Sequence, residues 1–160
     1  MGRAGSVKRR RTPHGSNSRR RQQANFQRST VVHKYQSSGG NNPLDYNTSM
    51  ITIAELPEYI RRAEKLMSDA ERLDVVNYLA AQPKAGDLME GTGGVRKLRW
   101  GRGAKGKSGG VRVIYYVHSD LMPLYLLTLF AKNERANLSK AERNELADLV
   151  ELLVQTWLEP

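Results

Sequence analysis

The chain has 160 residues, a formal net charge of +10 and no cysteine. That length holds one domain plus an appendage, and the missing thiol excludes disulfides, thiolate metal sites and cysteine nucleophiles. No apolar run approaches the roughly 18–20 residues that a bilayer-crossing helix needs, and the charged start lacks the apolar centre of a signal peptide, so the expected location is the cytoplasm and no membrane contact is expected.

The charge is unevenly spread. Residues 1–49 hold ten Lys/Arg and a single acid, Asp45, a net charge of +9. Residues 50–160 hold 16 basic and 15 acidic side chains, a net charge of +1. Within this near-neutral part, Arg96 to Arg112 contains seven basic residues and no acid. The basic surface of the domain is therefore local, and a local cationic surface points to an anionic partner.

Residues 1–49 are rich in Arg, Ser, Asn and Gly, with clusters such as Lys8–Arg11 and Arg19–Arg21. Such a segment buries too little to offset its ordering entropy, which predicts a disordered basic tail. Its charge suits a nucleic-acid-binding arm that displaces counterions from phosphates. The alternative is a dispensable tail, or one left unmade by translation from Met50.

The domain reading covers residues 50–160. Residues 50–54 form a short candidate strand, after which Leu56, Tyr59, Ile60, Ala63, Leu66 and Met67 recur at helical spacing, with Pro57 suited to a first turn. Ser68-Asp69-Ala70-Glu71 is a capping-box pattern that separates this helix from a second, expected to run to about Ala81 with Leu73, Val76 and Leu79 or Ala80 inward. Pro83 and Gly86 follow it. Three runs rich in Val, Ile, Tyr and Leu read as strands: residues 95–100, 110–118 and 124–131. A second capping box, Ser139-Lys140-Ala141-Glu142, opens a final helix whose Leu146, Leu149, Val150, Leu153, Val154 and Trp157 share a stripe. This order predicts an α+β domain, a small and mainly antiparallel sheet packed by an N-terminal helical hairpin and a C-terminal helix.

The stretch GTGGVRKLRWGRGAKGKSGGVRVIYY carries the chemistry. Alternation along a strand places Lys97 and Arg99 on one face and Arg96, Leu98 and Trp100 on the other. If the next strand pairs antiparallel, Arg112 converges with Lys97 and Arg99 near one end of the sheet, beside a loop bearing Arg102, Lys105 and Lys107. Grouped cations attract a phosphodiester and stabilise the added charge of a pentavalent phosphorane. A lysine held among other cations also loses its proton more easily, which suits it to act as a base. RNA brings its own nucleophile, the 2′-hydroxyl, so such cleavage needs no metal and no protein nucleophile. Tyr115 or Tyr116 is suited to stack on a base or donate to a phosphate. The plainer reading is a solvated charge run beside an ordinary Gly/Lys/Ser loop. That loop lacks the GxxxxGK[ST] spacing of a triphosphate site.

Other polar residues give weaker signals. His118 stands alone at a strand end, and His14 and His33 have no metal-ligand spacing. Glu142 is accounted for by capping and Glu145 by a solvated helix face, while Trp100 and Trp157 read as packing residues. No metal or organic cofactor is expected.

The segments GDLMEGTGGVRKLRW, GKSGGVRVIYY and LYLLTLFAKNERANLSKAERNEL, with the helical hairpin before them, resemble the HigB-like branch of the RelE/ParE toxin superfamily over about residues 50–157. The resemblance implies the RelE-like fold and a type II toxin that cuts mRNA in the ribosomal A site by 2′-hydroxyl attack. It implies a cognate antitoxin of the HigA type, usually with a helix-turn-helix, through which alone operator DNA is reached. Carried over by position, the basic pair of the strand before the loop falls on Lys97 and Arg99. The arginine that contacts the scissile phosphate falls on Arg112, and the cation after the last strand on Lys132. Arg96, Arg102, Lys105, Lys107, Tyr116 and Asn133 are the expected contacts to RNA or ribosome. The chain departs from founding members at two places: Asn133 stands where they have an arginine, and Ser139 near where they have a catalytic tyrosine, for which Tyr116 is a candidate substitute. A ParE-like inhibitor of DNA gyrase and a non-enzymatic nucleic-acid-binding module stay open as alternatives, because one fold serves several functions.

Overall fold

The computed structural model describes residues 31–36, 50–101 and 110–158. The described elements run β1 (Val31–Gln36), β2 (Met50–Glu55), α1 (Pro57–Leu66), α2 (Asp69–Ala81), β3 (Asp87–Leu88), β4 (Val95–Trp100), β5 (Val111–Tyr116), β6 (Leu124–Ala131) and α3 (Lys140–Leu158). The strands form one sheet in the order β1-β2-β6-β5-β4-β3. Every neighbouring pair is antiparallel except β2 and β6, which are parallel. The α+β architecture expected from the sequence is the one observed.

Local chemistry fixes the helix ends. Ser68 accepts from the Glu71 backbone N–H at 3.2 Å, and the Glu71 carboxylate accepts from the Ser68 N–H at 2.8 Å, so α2 starts at a complete capping box. Ser139 and Glu142 repeat the arrangement at α3, at 3.2 and 2.8 Å. Pro57 occupies the first turn of α1, where its missing N–H costs nothing.

The sheet is covered on both faces. Ile53, Leu98, Val113, Tyr115, Leu126 and Leu129 pack under α1 and α2, against Tyr59, Ala63, Val76 and Leu79. Ile114, Tyr116, Tyr125, Leu127 and Phe130 pack on the other side against Val150 and Leu153 of α3. Strands buried on both faces need apolar residues at successive positions, which explains why β5 and β6 read as nearly continuous apolar runs.

The structure differs from expectation at three places. Val31–Gln36, inside the segment expected to be disordered, pairs with β2 along all six residues. Asp87–Leu88 adds a two-residue edge strand on β4 that the sequence reading left as a connection. In α2, Leu73 is 52% exposed, whereas Val75 is fully buried beside Val76 and Leu79. The apolar stripe of α2 is rotated by its contact with the sheet.

Between β3 and β4, Gly91, Gly93 and Gly94 have φ of 72°, 71° and 110°, backbone conformations that glycine adopts without strain. Thr92 is buried within this turn, donating to the Met89 carbonyl at 2.7 Å and accepting from the Val95 N–H at 3.2 Å. The turn thereby sets the start of β4, which positions its basic residues.

Candidate functional site

The register of β4 and β5 determines where the cations go. Arg99 is the direct cross-strand partner of Arg112, and Lys97 that of Ile114. Arg112 in turn pairs with Phe130 of β6. Cross-strand partners project from the same face. Ile114 and Phe130 belong to the core beneath α3, so Lys97, Arg99 and Arg112 lie on the α3 side of the sheet. They gather at the end where β4 leaves and β5 enters.

Glycine shapes this end. A Cβ on Gly110 would lie 2.9 Å from the Trp100 carbonyl oxygen, a separation that side chains do not tolerate. The Gly110 carbonyl accepts from the Lys132 N–H at 3.0 Å. This bond brings Lys132 and Asn133, both exposed, to the same end as Arg112. Four of the expected residues, Lys97, Arg99, Arg112 and Lys132, are thus placed on the same end of the sheet by three adjacent strands. Arg102, Lys105 and Lys107 lie outside the described residues.

Two expected residues are placed elsewhere. Arg96 projects to the opposite face, where its guanidinium donates to the carbonyls of Lys84 at 3.1 Å and Gly86 at 2.7 Å. It ties down the connection between α2 and β3. Tyr116 is 4% exposed and packs beneath α3, sharing a 3.1 Å hydrogen bond with His118 Nδ1. It sits four residues along β5 from Arg112, a separation of about 13 Å at the strand rise. Burial pushes the Tyr116 phenol above its ordinary range, which keeps it protonated and unsuited to act as a base. Tyr115 is occupied too: it is fully buried on the hairpin face and accepts from the Gly86 N–H at 2.9 Å.

The crossover from β6 to α3 supplies residues that the sequence reading missed. Lys97 Nζ donates to Asn137 Oδ1 at 3.1 Å. The Arg135 guanidinium lies 5.1 Å from the centre of the Phe130 ring and is hydrogen-bonded to Glu142. Phe130 is opposite Arg112 in the strand register and beneath Arg135, so Arg135, paired with Glu142, lies next to this end of the sheet. Arg135 also borders a groove of about 700 Å³ between α1 and α3, floored by Leu56, Leu127, Leu138 and Leu149. Only the position of Arg135, five residues after the strand residue opposite Arg112, signalled its place.

The electrostatics of the pair are distinctive. Among the described residues, neither Arg99 nor Arg112 has an ion-pair partner, whereas Arg62, Arg72 and Arg135 each meet a carboxylate. Arg99 is exposed and Arg112 half-buried. Two adjacent guanidiniums at a glycine-lined mouth present up to ten N–H donors to an anion. Their planar forks suit the oxygens of a phosphodiester. Among the described residues, no group of three or more His, Asp or Glu is arranged to hold a metal ion, and no helix is long and apolar enough to cross a membrane.

Comparison with known families matches residues 51–158, about two thirds of the chain, to the model for the RelE toxin of the RelE/RelB toxin-antitoxin system. The match spans β2 to α3 and contains every residue of the cationic end. The chain belongs to the RelE toxin family.

Proposed function

We propose that this protein is a HigB-like, ribosome-dependent mRNA endonuclease that arrests translation. The observation that carries this reading is the cross-strand pair Arg99 and Arg112, without ion-pair partners among the described residues and flanked by Lys97 and Lys132.

The chemistry follows from that placement. A ribose 2′-hydroxyl attacks the adjacent phosphorus and loses its proton. The bond from phosphorus to the 5′-oxygen of the next nucleotide breaks, and that oxygen takes up a proton. The products are a 2′,3′-cyclic phosphate and a 5′-hydroxyl. Arg99 and Arg112 hold the non-bridging oxygens and stabilise the charge that grows on them in the phosphorane. Lys97, steadied by Asn137, adds a further positive charge, and Lys132 approaches from the β6 side. Asn133 and Arg135 extend the contact along the RNA, and Arg102, Lys105 and Lys107 are proposed as further RNA or ribosome contacts. The ribosome supplies the strained, extended mRNA that makes in-line attack accessible. That requirement places the protein in the cytoplasm.

The partner proposed for inhibition is a cognate antitoxin of the HigA type, bearing a helix-turn-helix, through which the pair reaches operator DNA. The test is inducible expression followed by mapping of mRNA 5′ ends. We expect growth arrest and new ends inside translated regions, with rescue by the antitoxin. Intact messages together with a DNA-damage response would instead identify a gyrase inhibitor.

A further inference from the structure

The apolar stripe of α3 runs past the core it packs against. Leu146, Val150, Leu153 and Trp157 recur at helical spacing. Val150 and Leu153 are buried against the sheet, whereas Trp157 is 48% exposed. The indole is held in place all the same, because its N–H donates to the Tyr125 hydroxyl near the start of β6. Leu158 beside it is exposed, and Leu121, in the turn between β5 and β6, is 79% exposed. Helix α3 starts at the crossover, where Glu142 meets Arg135 over Phe130, and it ends at Tyr125. These apolar groups therefore lie at the end of the sheet opposite Arg99 and Arg112.

The charge at this end is the reverse of the chain's net charge. Between Arg112 and Lys132, and again from Asn144 to Leu158, there is no lysine or arginine. The acids of these two segments are Asp120, Glu145, Asp148 and Glu151. All four are exposed, and none has an ion-pair partner among the described residues. The eight residues of β6 set the two ends of the sheet about 25 Å apart. That exceeds two Debye lengths of about 10 Å at 0.1 M salt, so the distant cations do not cancel the field here. Such a surface repels phosphate, which excludes RNA and anionic lipid, and it attracts a cationic polypeptide.

We propose that this end of the domain is a docking surface for a basic segment of a partner protein, with Trp157 as its apolar anchor and Asp120, Asp148 and Glu151 meeting the partner's lysines and arginines. Exposed apolar groups rimmed by charge mark protein-binding surfaces, and tryptophan is enriched among the residues that dominate binding. The bond to Tyr125 fixes the ring before the partner arrives, which lowers the entropy lost on docking. The surface is independent of the endonuclease reading, because RNA is placed at the opposite end of the sheet and both ends are open at once.

The probe is a synthetic peptide with leucine at every third or fourth position and lysine at the rest, labelled for fluorescence anisotropy and titrated with the full chain. The parent is expected to bind it at about 0.1 M salt. Trp157→Ala should weaken binding by about tenfold or more, the effect of removing an interface anchor. Asp148→Lys together with Glu151→Lys changes only exposed positions and leaves the core intact. This variant should bind about tenfold more weakly at about 0.1 M salt, and the difference should shrink toward 1 M as screening removes the electrostatic part. No binding by the parent, or equal affinity for the parent and both variants, would overturn the proposal. Self-association of the chain alone that salt abolishes would name the cationic end of a second copy as the occupant, and would overturn it as well.

Discussion

Arg99 and Arg112 stand directly opposite one another on neighbouring antiparallel strands, and neither has a carboxylate partner among the described residues. Like charges at this spacing repel and destabilise the strand pair. Such an arrangement trades stability for a site that is complete only when an anion binds. Arg112→Ala is therefore expected to lower the rate of mRNA cleavage in a translating extract by about 100-fold or more, the effect of removing one preorganised donor. Its melting temperature should equal or exceed that of the parent. A variant that cleaves normally would remove Arg112 from the site.

The sequence made the core of this arrangement legible because period-2 alternation and a glycine-flanked loop are local signals. Lys97 and Arg99 must share a face of any regular strand, and Arg112 joins them once β4 and β5 pair. The capping boxes at Ser68 and Ser139 were equally local, and both formed. What escaped notice depends on contacts distant in sequence. Arg135 matters through Phe130 and Glu142, and Asn137 through Lys97, forty residues earlier. Arg96 and Tyr116 appeared suited to RNA by residue type alone. Pairing register sent one to backbone carbonyls on the opposite face and the other into the core beneath α3. β1 was hidden because the composition around it argues for disorder. Only the β2 edge and the buried Glu55 give VVHKYQ a place to pair.

Glu55 is 2% exposed and is held by Arg72 of α2 at 3.2 Å and by His33 of β1 at 3.4 Å, which makes this buried cluster testable. Replacing one partner of a buried ion pair leaves the other unpaired, at a cost of about 3 kcal/mol. Glu55→Ala should show that loss in urea unfolding, because Arg72, which also has a buried Nε without a hydrogen-bond partner, keeps only the solvent-exposed Asp69 carboxylate at 3.9 Å. The double change Glu55→Leu with Arg72→Leu should recover much of it, since two apolar side chains can replace a buried pair. A double variant no more stable than Glu55→Ala would mean that the cluster contributes through something other than charge pairing.

Acid stability tests the second capping box. The Ser139 N–H and, with it, Arg135 hold the Glu142 carboxyl below its ordinary 4.5. A group depressed in the folded state stabilises the fold above its unfolded pKa, and that stabilisation disappears as pH falls through the folded value. Glu142→Gln keeps a side-chain acceptor for the Ser139 N–H but loses the charge that faces Arg135. Melting curves should show the variant less stable than the parent at pH 7. The gap should begin to close as pH falls below about 4.5 and vanish below the folded value. A gap independent of pH would assign the effect to packing at the start of α3.

Gly110 separates the geometry of the site from its charge. No cation is removed by Gly110→Ala, yet the added methyl must enter space 2.9 Å from the Trp100 carbonyl oxygen. Backbone cannot yield there without parting β4 from β5 beside the Arg99 and Arg112 pair. We expect a stability loss of about 1–3 kcal/mol, in the range for overpacking. Cleavage should fall by more than that loss explains, because the two guanidiniums no longer meet a single phosphate. Measuring cleavage well below the variant's melting temperature, alongside its affinity for 2′-O-methyl RNA, distinguishes the two effects. A lower cleavage rate with near-normal RNA affinity is the expected result. If cleavage stays at the parent level while the melting temperature falls, the spacing of Arg99 and Arg112 does not govern the reaction.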